Sequence, residues 1–185
     1  MSGPRRWTPL ETELLEECAV FTVSRTRTRS PKDGGEHDFY RIDSTDWVNI
    51  IPVTPAGEVV MVRQYRHGTR EVTLEIPGGM IDAGESPAAA AARELLEETG
   101  YRAQEVVAIG ETSPNPAIFG NRVFSYLGLG ARRVGEIAND GTEETFVELV
   151  PEARLPELLR SGGVDHALVL AAFLFRKLHE EATQK

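Results

Sequence analysis

The chain has 185 residues, 41% of them hydrophobic and 26% charged, with a formal net charge of −9. That length and composition suit one domain, or a domain with a small appendage, around a sizeable core. The acidic balance argues against a partner held by neutralising a nucleic-acid backbone, which needs a basic surface. It leaves room for a small anionic substrate, because one bound cation inverts the local field. Cys18 is the only cysteine, so an internal disulfide is impossible, a cysteine-based zinc site is not expected, and a reducing cytoplasm is the expected setting.

The first residues, "MSGPRRWTPLETELLEE", contain no apolar core of signal-peptide length. "CAVFTVSRTRTRS" is rich in strand formers, "PKDGGEHD" carries turn chemistry, and "FYRIDS" suits a return strand. Residues 1–45 are therefore expected to form a small antiparallel β unit, with residues 46–185 as the main domain. "DWVNIIPVT" and "EVVMVRQYR" predict two strands joined by the turn "PAGE", and "TREVTLEIP" predicts another, with Thr73 and Glu75 alternating against Leu74 and Ile76. Ser86 as N-cap, Pro87 at the first helical position and Gly100 as the stop predict a helix over residues 87–99. "AQEVVAIGETS", "RVFSYLGLG" and "EETFVELVP" predict three more strands. A proline-delimited segment from Pro156 then leads to a helix over about residues 165–181. The apolar run Ala167 to Phe175 is far too short to cross a bilayer, so no membrane partner is expected. A mixed sheet with two or three helices and no regular strand-helix alternation predicts an α+β sandwich, not a doubly wound sheet.

The predicted helix over residues 87–99 carries the chemistry. At about 100° per residue, Glu94, Glu97 and Glu98 share an arc of about 100°, while Ala88, Ala92, Leu95, Leu96 and Thr99 fall on the other side. Glu94 and Glu98, spaced i, i+4, repel, and both sit toward the end of the helix where the dipole disfavours anions. A solvated charged face normally mixes signs. Here no lysine follows Glu94 at i+4, and Arg93 can pair with Glu97, which organises only one acid. Carboxylates crowded in this way suit a hard dication with oxygen ligands, Mg²⁺ or Mn²⁺. Gly78 and Gly79 just before the helix let backbone approach such a ligand closely.

The segment from Gly78 to Gly100 resembles the Nudix box: a glycine, five residues, a glutamate, seven residues, Arg-Glu, an aliphatic, any residue, Glu-Glu, any residue, a glycine and an aliphatic. The matching positions are Gly79, Glu85, Arg93, Glu94, Leu95, Glu97, Glu98 and Gly100, and only Tyr101 departs, standing where the pattern has an aliphatic. The resemblance implies an α/β/α sandwich that hydrolyses a nucleoside diphosphate linked to another group. It implies Glu94, Glu97 and Glu98 as metal ligands with the Gly78 carbonyl, and Gly79, Glu85, Arg93 and Gly100 as organisers of loop and helix. Outside the box, "VRQYRHG" and "LEIPGG" resemble the ADP-ribose pyrophosphatase branch, and Pro116 lies sixteen residues after Gly100, where that branch carries a marker proline. Ala117 replaces the glycine that often follows, as in relatives that accept other nucleotide sugars such as GDP-mannose. This branch commonly exchanges an N-terminal β unit across a homodimer, which residues 1–45 would fit.

The same resemblance implies a late catalytic acid just before "FVEL". Direct alignment puts Thr145 there, so Glu144 is the first choice and Glu143 the second. One of them, with Glu97 on the helix, would orient or deprotonate the attacking water. Arg66, Arg63 and Glu75 are the candidate contacts to phosphate or sugar, with Pro116 in the marker loop. Phe39, Phe21 and Trp47 are candidate adenine stackers, each read first as an ordinary core aromatic. His166 is expected to cap or pack the last helix. A pyrophosphatase that cleans up nucleoside triphosphates and a non-catalytic nucleotide-sugar sensor remain open alternatives. A sensor would have lost a box acid, and none is lost here.

Overall fold

In the computed structural model, which describes residues 3–139 and 141–183, neighbouring apolar residues on the central strands fall into different core clusters. The two-residue period of a strand requires this. The chain divides into two units, residues 1–45 with 113–122, and residues 46–112 with 123–185.

The first unit is an antiparallel sheet of β1 (Thr8–Glu17), β2 (Thr22–Arg29) and β3 (Glu36–Asp43) in that order. β2 and β3 answer the predicted strand pair, and the turn between them closes through Ser30 N–H to the Gly35 carbonyl at 2.8 Å. β1 was not anticipated. Its register against β2 shifts between Pro9 and Glu11 and again between Leu14 and Glu16. Such bulges break the alternation by which a strand is recognised. Residues 113–122 join this unit through Ile42 N–H to the Ile118 carbonyl (2.8 Å) and Gly120 N–H to the Ile42 carbonyl (3.1 Å).

The second unit is built on β4 (Trp47–Val53), β5 (Glu58–Arg66), β6 (Glu71–Glu75), β7 (Gly78–Met80), β9 (Glu105–Thr112), β10 (Val123–Leu129) and β12 (Thr145–Pro151). The order is β12-β5-β4-β10-β9, with β6 on β5 and β7 on β4, and a two-stranded ribbon pairs β8 (Tyr101–Arg102) with β11 (Arg132–Arg133). β10 and β4 run parallel and the other pairs antiparallel, so the sheet is mixed. The helices are α1 (Pro87–Thr99), α2 (Leu155–Ser161) and α3 (Ala167–Thr183). Ile50 of β4 and Tyr126 of β10 pack with Ala90, Ala91 and Leu95 of α1. The next residues along, Ile51 and Leu127, pack with Leu155 of α2 and Val169, Ala172 and Phe173 of α3. The sheet is therefore the middle of three layers, in the expected α+β class.

Residues 87–99 form α1 as predicted. Ser86 Oγ accepts from Ala89 N–H, and Gly100 closes the helix at φ 73°. The segment from Pro156 is a helix in its own right, stopped by Gly162 at φ 77°. His166 caps α3, its Nδ1 accepting the Leu168 N–H at 3.2 Å, so α3 begins one residue later. Among the described residues no helix is long and apolar enough to cross a membrane.

Candidate active site

The acidic helix meets the sheet through the short strand β7, which pairs with β4 at Gly78↔Asn49 and Gly79↔Val48. Sequence reading took these glycines as a close-approach turn; they lie in a strand, and the close approach itself is present. A Cβ on Gly78 would collide with the Val48 carbonyl, and one on Gly79 with the Glu94 carboxylate. The missing side chains let the helix acids press against β7. Gly78 N–H donates to Glu98 Oε2 at 3.1 Å.

The expected division of α1 into an acidic front and an Ala-Leu back is corrected. Glu94 and Glu98 are 9% and 3% exposed and lie on the buried side with Ala90, Ala91 and Leu95. Ala88 and Ala92 face solvent, and Glu97 is half-buried. Two carboxyls so placed lose hydration. Burial raises the Glu94 pKa against the pull of Arg93. Burial, then Glu94, pushes Glu98 up to about 8, against the Gly78 N–H that lowers it.

The expectation that Arg93 organises a single acid is also corrected. Its Nη1 donates to Glu94 Oε1 at 2.9 Å and to Glu97 Oε2 at 3.0 Å. Its Nη2 reaches Glu85 Oε2 and the Met80 carbonyl, each at 3.0 Å, and its Nε reaches Glu85 Oε1 at 3.1 Å. A guanidinium has five donors in a fixed fork, and the loop folds Glu85 back to meet them. Glu85 is held below the usual carboxylate range, chiefly by Arg93. One side chain therefore ties residues 80–85 to two of the three helix acids. Among the described residues, no three His, Cys, Asp or Glu side chains form a ready-made metal cage.

On the strands beside this helix, Arg66 holds Glu75 in a two-pronged pair, Nε to Oε1 and Nη2 to Oε2, both at 2.7 Å. Thr73 Oγ1 adds a donor to Oε1 at 2.6 Å. Burial alone would raise the Glu75 pKa, but Arg66 and Thr73 outweigh it and the group is held low. Glu75 is 2% exposed with both oxygens engaged, so it holds the Arg66 guanidinium in place. His166 Nε2 stands 3.9 Å from Glu75 Oε2. Arg63 pairs with Glu148 at 2.7 Å, and both are solvent-accessible.

Of the two late candidates, Glu143 is the one whose charge is felt by the helix acids. Its charge raises the pKa of both Glu94 and Glu98 and stabilises the Arg66 cation, whereas Glu144 is not among the charges acting most strongly on them. Thr145, two residues on, is buried and donates to the Glu98 carbonyl at 2.8 Å. Sequence reading noticed Thr145 only as the residue standing where an acid was sought. Its contact is to backbone, which carries no sequence signal.

Of the remaining candidates, Trp47 is half-buried at the start of β4 in the second unit, and the others lie in the first. Pro116 is in a turn that Asn115 organises, its Oδ1 accepting Ala117 N–H at 3.2 Å and its carbonyl accepting Phe119 N–H at 2.8 Å. Phe39 is 50% exposed and stands edge-on to Trp7 at 5.3 Å, and Phe21 is exposed too, so neither is a core aromatic.

With this geometry in view, the chain was compared with known proteins. A family model described as NUDIX domain matches residues 43–173. The chain belongs to the NUDIX family. Similar Nudix proteins include an ADP-ribose pyrophosphatase of Mycobacterium tuberculosis, 34% identical over 167 residues, covering 89% of this chain and 80% of that protein. Another is the ADP compounds hydrolase NudE of Escherichia coli, 30% identical over 178 residues, covering 92% and 91%. A crystal structure of an ADP compounds hydrolase superposes with a TM-score of 0.87 at 23% identity, over 99% of this chain and 98% of that one, which establishes the Nudix fold. The chain is a Nudix hydrolase by family, and its box residues are the ones that converge where α1 meets β7.

Proposed function

We propose that the chain hydrolyses the pyrophosphate bond of ADP-ribose or a related nucleoside diphosphate sugar, releasing a nucleoside monophosphate and a sugar phosphate. One observation carries this reading: two glutamates, Glu94 and Glu98, are buried on one helix with their carboxyls destabilised as anions. That is an arrangement a bound cation relieves. The donors are hard oxygens, which fit Mg²⁺, with Mn²⁺ as a substitute. Glu94, Glu97, Glu98 and the Gly78 carbonyl would hold it. Bound there, it would neutralise pyrophosphate charge and acidify a water.

The chain's own groups do the rest. Arg66, aimed by Glu75, binds a phosphate oxygen. Glu143 takes the proton from the attacking water as its oxygen bonds to phosphorus, and the bridging P–O bond breaks toward the departing phosphate. From ADP-ribose the products are AMP and ribose 5-phosphate. The names of the Mycobacterium tuberculosis and Escherichia coli relatives, both acting on ADP compounds, support this substrate class. A panel of ADP-ribose, GDP-mannose, other nucleotide sugars and dNTPs with Mg²⁺ tests it. Nucleoside monophosphate from a nucleotide sugar is the expected result. Pyrophosphate released from dNTPs in preference would make the chain a triphosphate-cleaning enzyme, and binding of ADP-ribose without turnover would make it a sensor.

We further infer a cytoplasmic homodimer joined through the N-terminal sheet. Trp7, Leu10, Leu14, Leu15, Phe39 and Tyr40 are exposed on β1, β3 and the residue before them, more apolar surface than a sheet facing water normally shows. Light scattering should give twice the chain mass, and a monomer at micromolar concentration would overturn the assignment.

A further inference from the structure

The last carbonyls of a helix have no partners within it. At the end of α1 one loop takes the Glu97 carbonyl and that of the capping Gly100. Val134 and Gly135 N–H donate to the Gly100 carbonyl at 2.8 and 3.1 Å, and Ala138 N–H donates to the Glu97 carbonyl at 2.8 Å. Gly100 must be glycine for this, since its φ is 73° and a Cβ would collide with the Gly135 carbonyl. The Glu98 carbonyl is taken differently, by a side chain, the Thr145 hydroxyl at 2.8 Å. That hydroxyl in turn accepts from Asn139 Nδ2 at 3.0 Å, so its donor is used and one lone pair is filled. Thr145 is 4% exposed.

Asn139 and Thr145 flank Glu143 in the sequence, and their side chains are bonded to each other. Thr145 is also the first residue of β12, in register with Gln64 of β5. A single hydroxyl thus joins three things: the turn of α1 that carries Glu97 and Glu98, the start of a sheet strand, and the foot of the loop that holds Glu143. A catalytic group gains rate from being held in place.

We propose that Thr145, braced by Asn139, is a positioning residue that sets Glu143 against the Glu94–Glu98 pair. The proposal rests on the reading of Glu143 as the base. It gives a role to the very position where alignment expected an acid: the acid moves two residues earlier and the vacated place becomes its anchor.

Thr145→Val keeps the shape and removes the hydroxyl, and Thr145→Ser keeps the hydroxyl. Steady-state kinetics with ADP-ribose at saturating Mg²⁺ should show kcat for Thr145→Val down by about a hundredfold, the loss typical of a misplaced catalytic group. KM should be unchanged, and Thr145→Ser should run at the wild-type rate. The deciding measurement repeats Thr145→Val in a Glu143→Gln background, below the melting temperature of every variant. If Thr145 acts through Glu143, the second substitution costs nothing further. An equal loss in both backgrounds, or full rate in Thr145→Val, overturns the positioning role and leaves the Glu143 assignment standing. Wild-type rate in Glu143→Gln alone overturns the base assignment and this role with it. Should Thr145→Val not fold, Asn139→Leu carries the same cycle and the same outcomes decide.

Discussion

Glu98→Gln is expected to lower kcat for ADP-ribose about a thousandfold. Loss of a ligand that helps deliver several kcal/mol of charge stabilisation costs a factor of ten for each ~1.4 kcal/mol. The fold survives, and the metal-free variant is more stable than the wild type above neutral pH. The reason is the Glu98 carboxyl, raised from 4.5 to about 8 by burial and by Glu94. Between those two values the folded chain keeps a proton that the unfolded chain has lost. Stability that is fully present below about pH 4.5 is therefore lost as pH rises through about 8. Thermal melts in a chelator should show the wild-type melting temperature falling across that window and the Gln variant holding steadier. Mg²⁺ should restore the wild type at about pH 8, because a ligand of the folded state stabilises by mass action, and should restore the variant less. Wild-type turnover by the variant at saturating Mg²⁺ would refute the ligand assignment.

Glu143→Gln is expected to cost about a hundredfold or more in kcat, the range for removing a general base, whereas Glu144→Gln should stay close to the wild-type rate. Equal losses at the two positions would mean that the loop, not one carboxylate, is what matters. A large loss only at Glu144 would return the assignment to the residue that alignment favoured.

The two substitutions probe parts of the site that differed greatly in legibility. Helix α1 could be read to the residue, since Ser86, Pro87 and Gly100 mark its ends by local chemistry alone. The crowding of Glu94, Glu97 and Glu98 is likewise a property of sequence spacing, and so is the match to the Nudix box. The longer strands of the main sheet were found as β-rich runs between turns, and β7 was not, being three residues long and rich in glycine. β1 was missed because its bulges scramble the alternation.

Which acids the helix buries was read wrongly. A helical wheel ranks faces by the polarity of their side chains, and it cannot know that Gly79 leaves room beside Glu94. Arg93 was credited with one partner because only Glu97 lies at a helical spacing from it; Glu85 reaches it from the loop. Sequence spacing gave no sign that Glu75 accepts hydrogen bonds from Arg66 and Thr73.

The sequence by itself determined the family, the class of fold, the bounds of the catalytic helix and the kind of cation its acids suit. All of these depend on residue types at short, regular separations. Only the tertiary structure decided that Glu94 and Glu98 are buried, that Glu75 holds Arg66, and that the Thr145 hydroxyl meets the Glu98 carbonyl. Those facts come from groups that meet only in the folded chain, several of them at backbone atoms that every residue shares, so no local pattern of side chains could announce them.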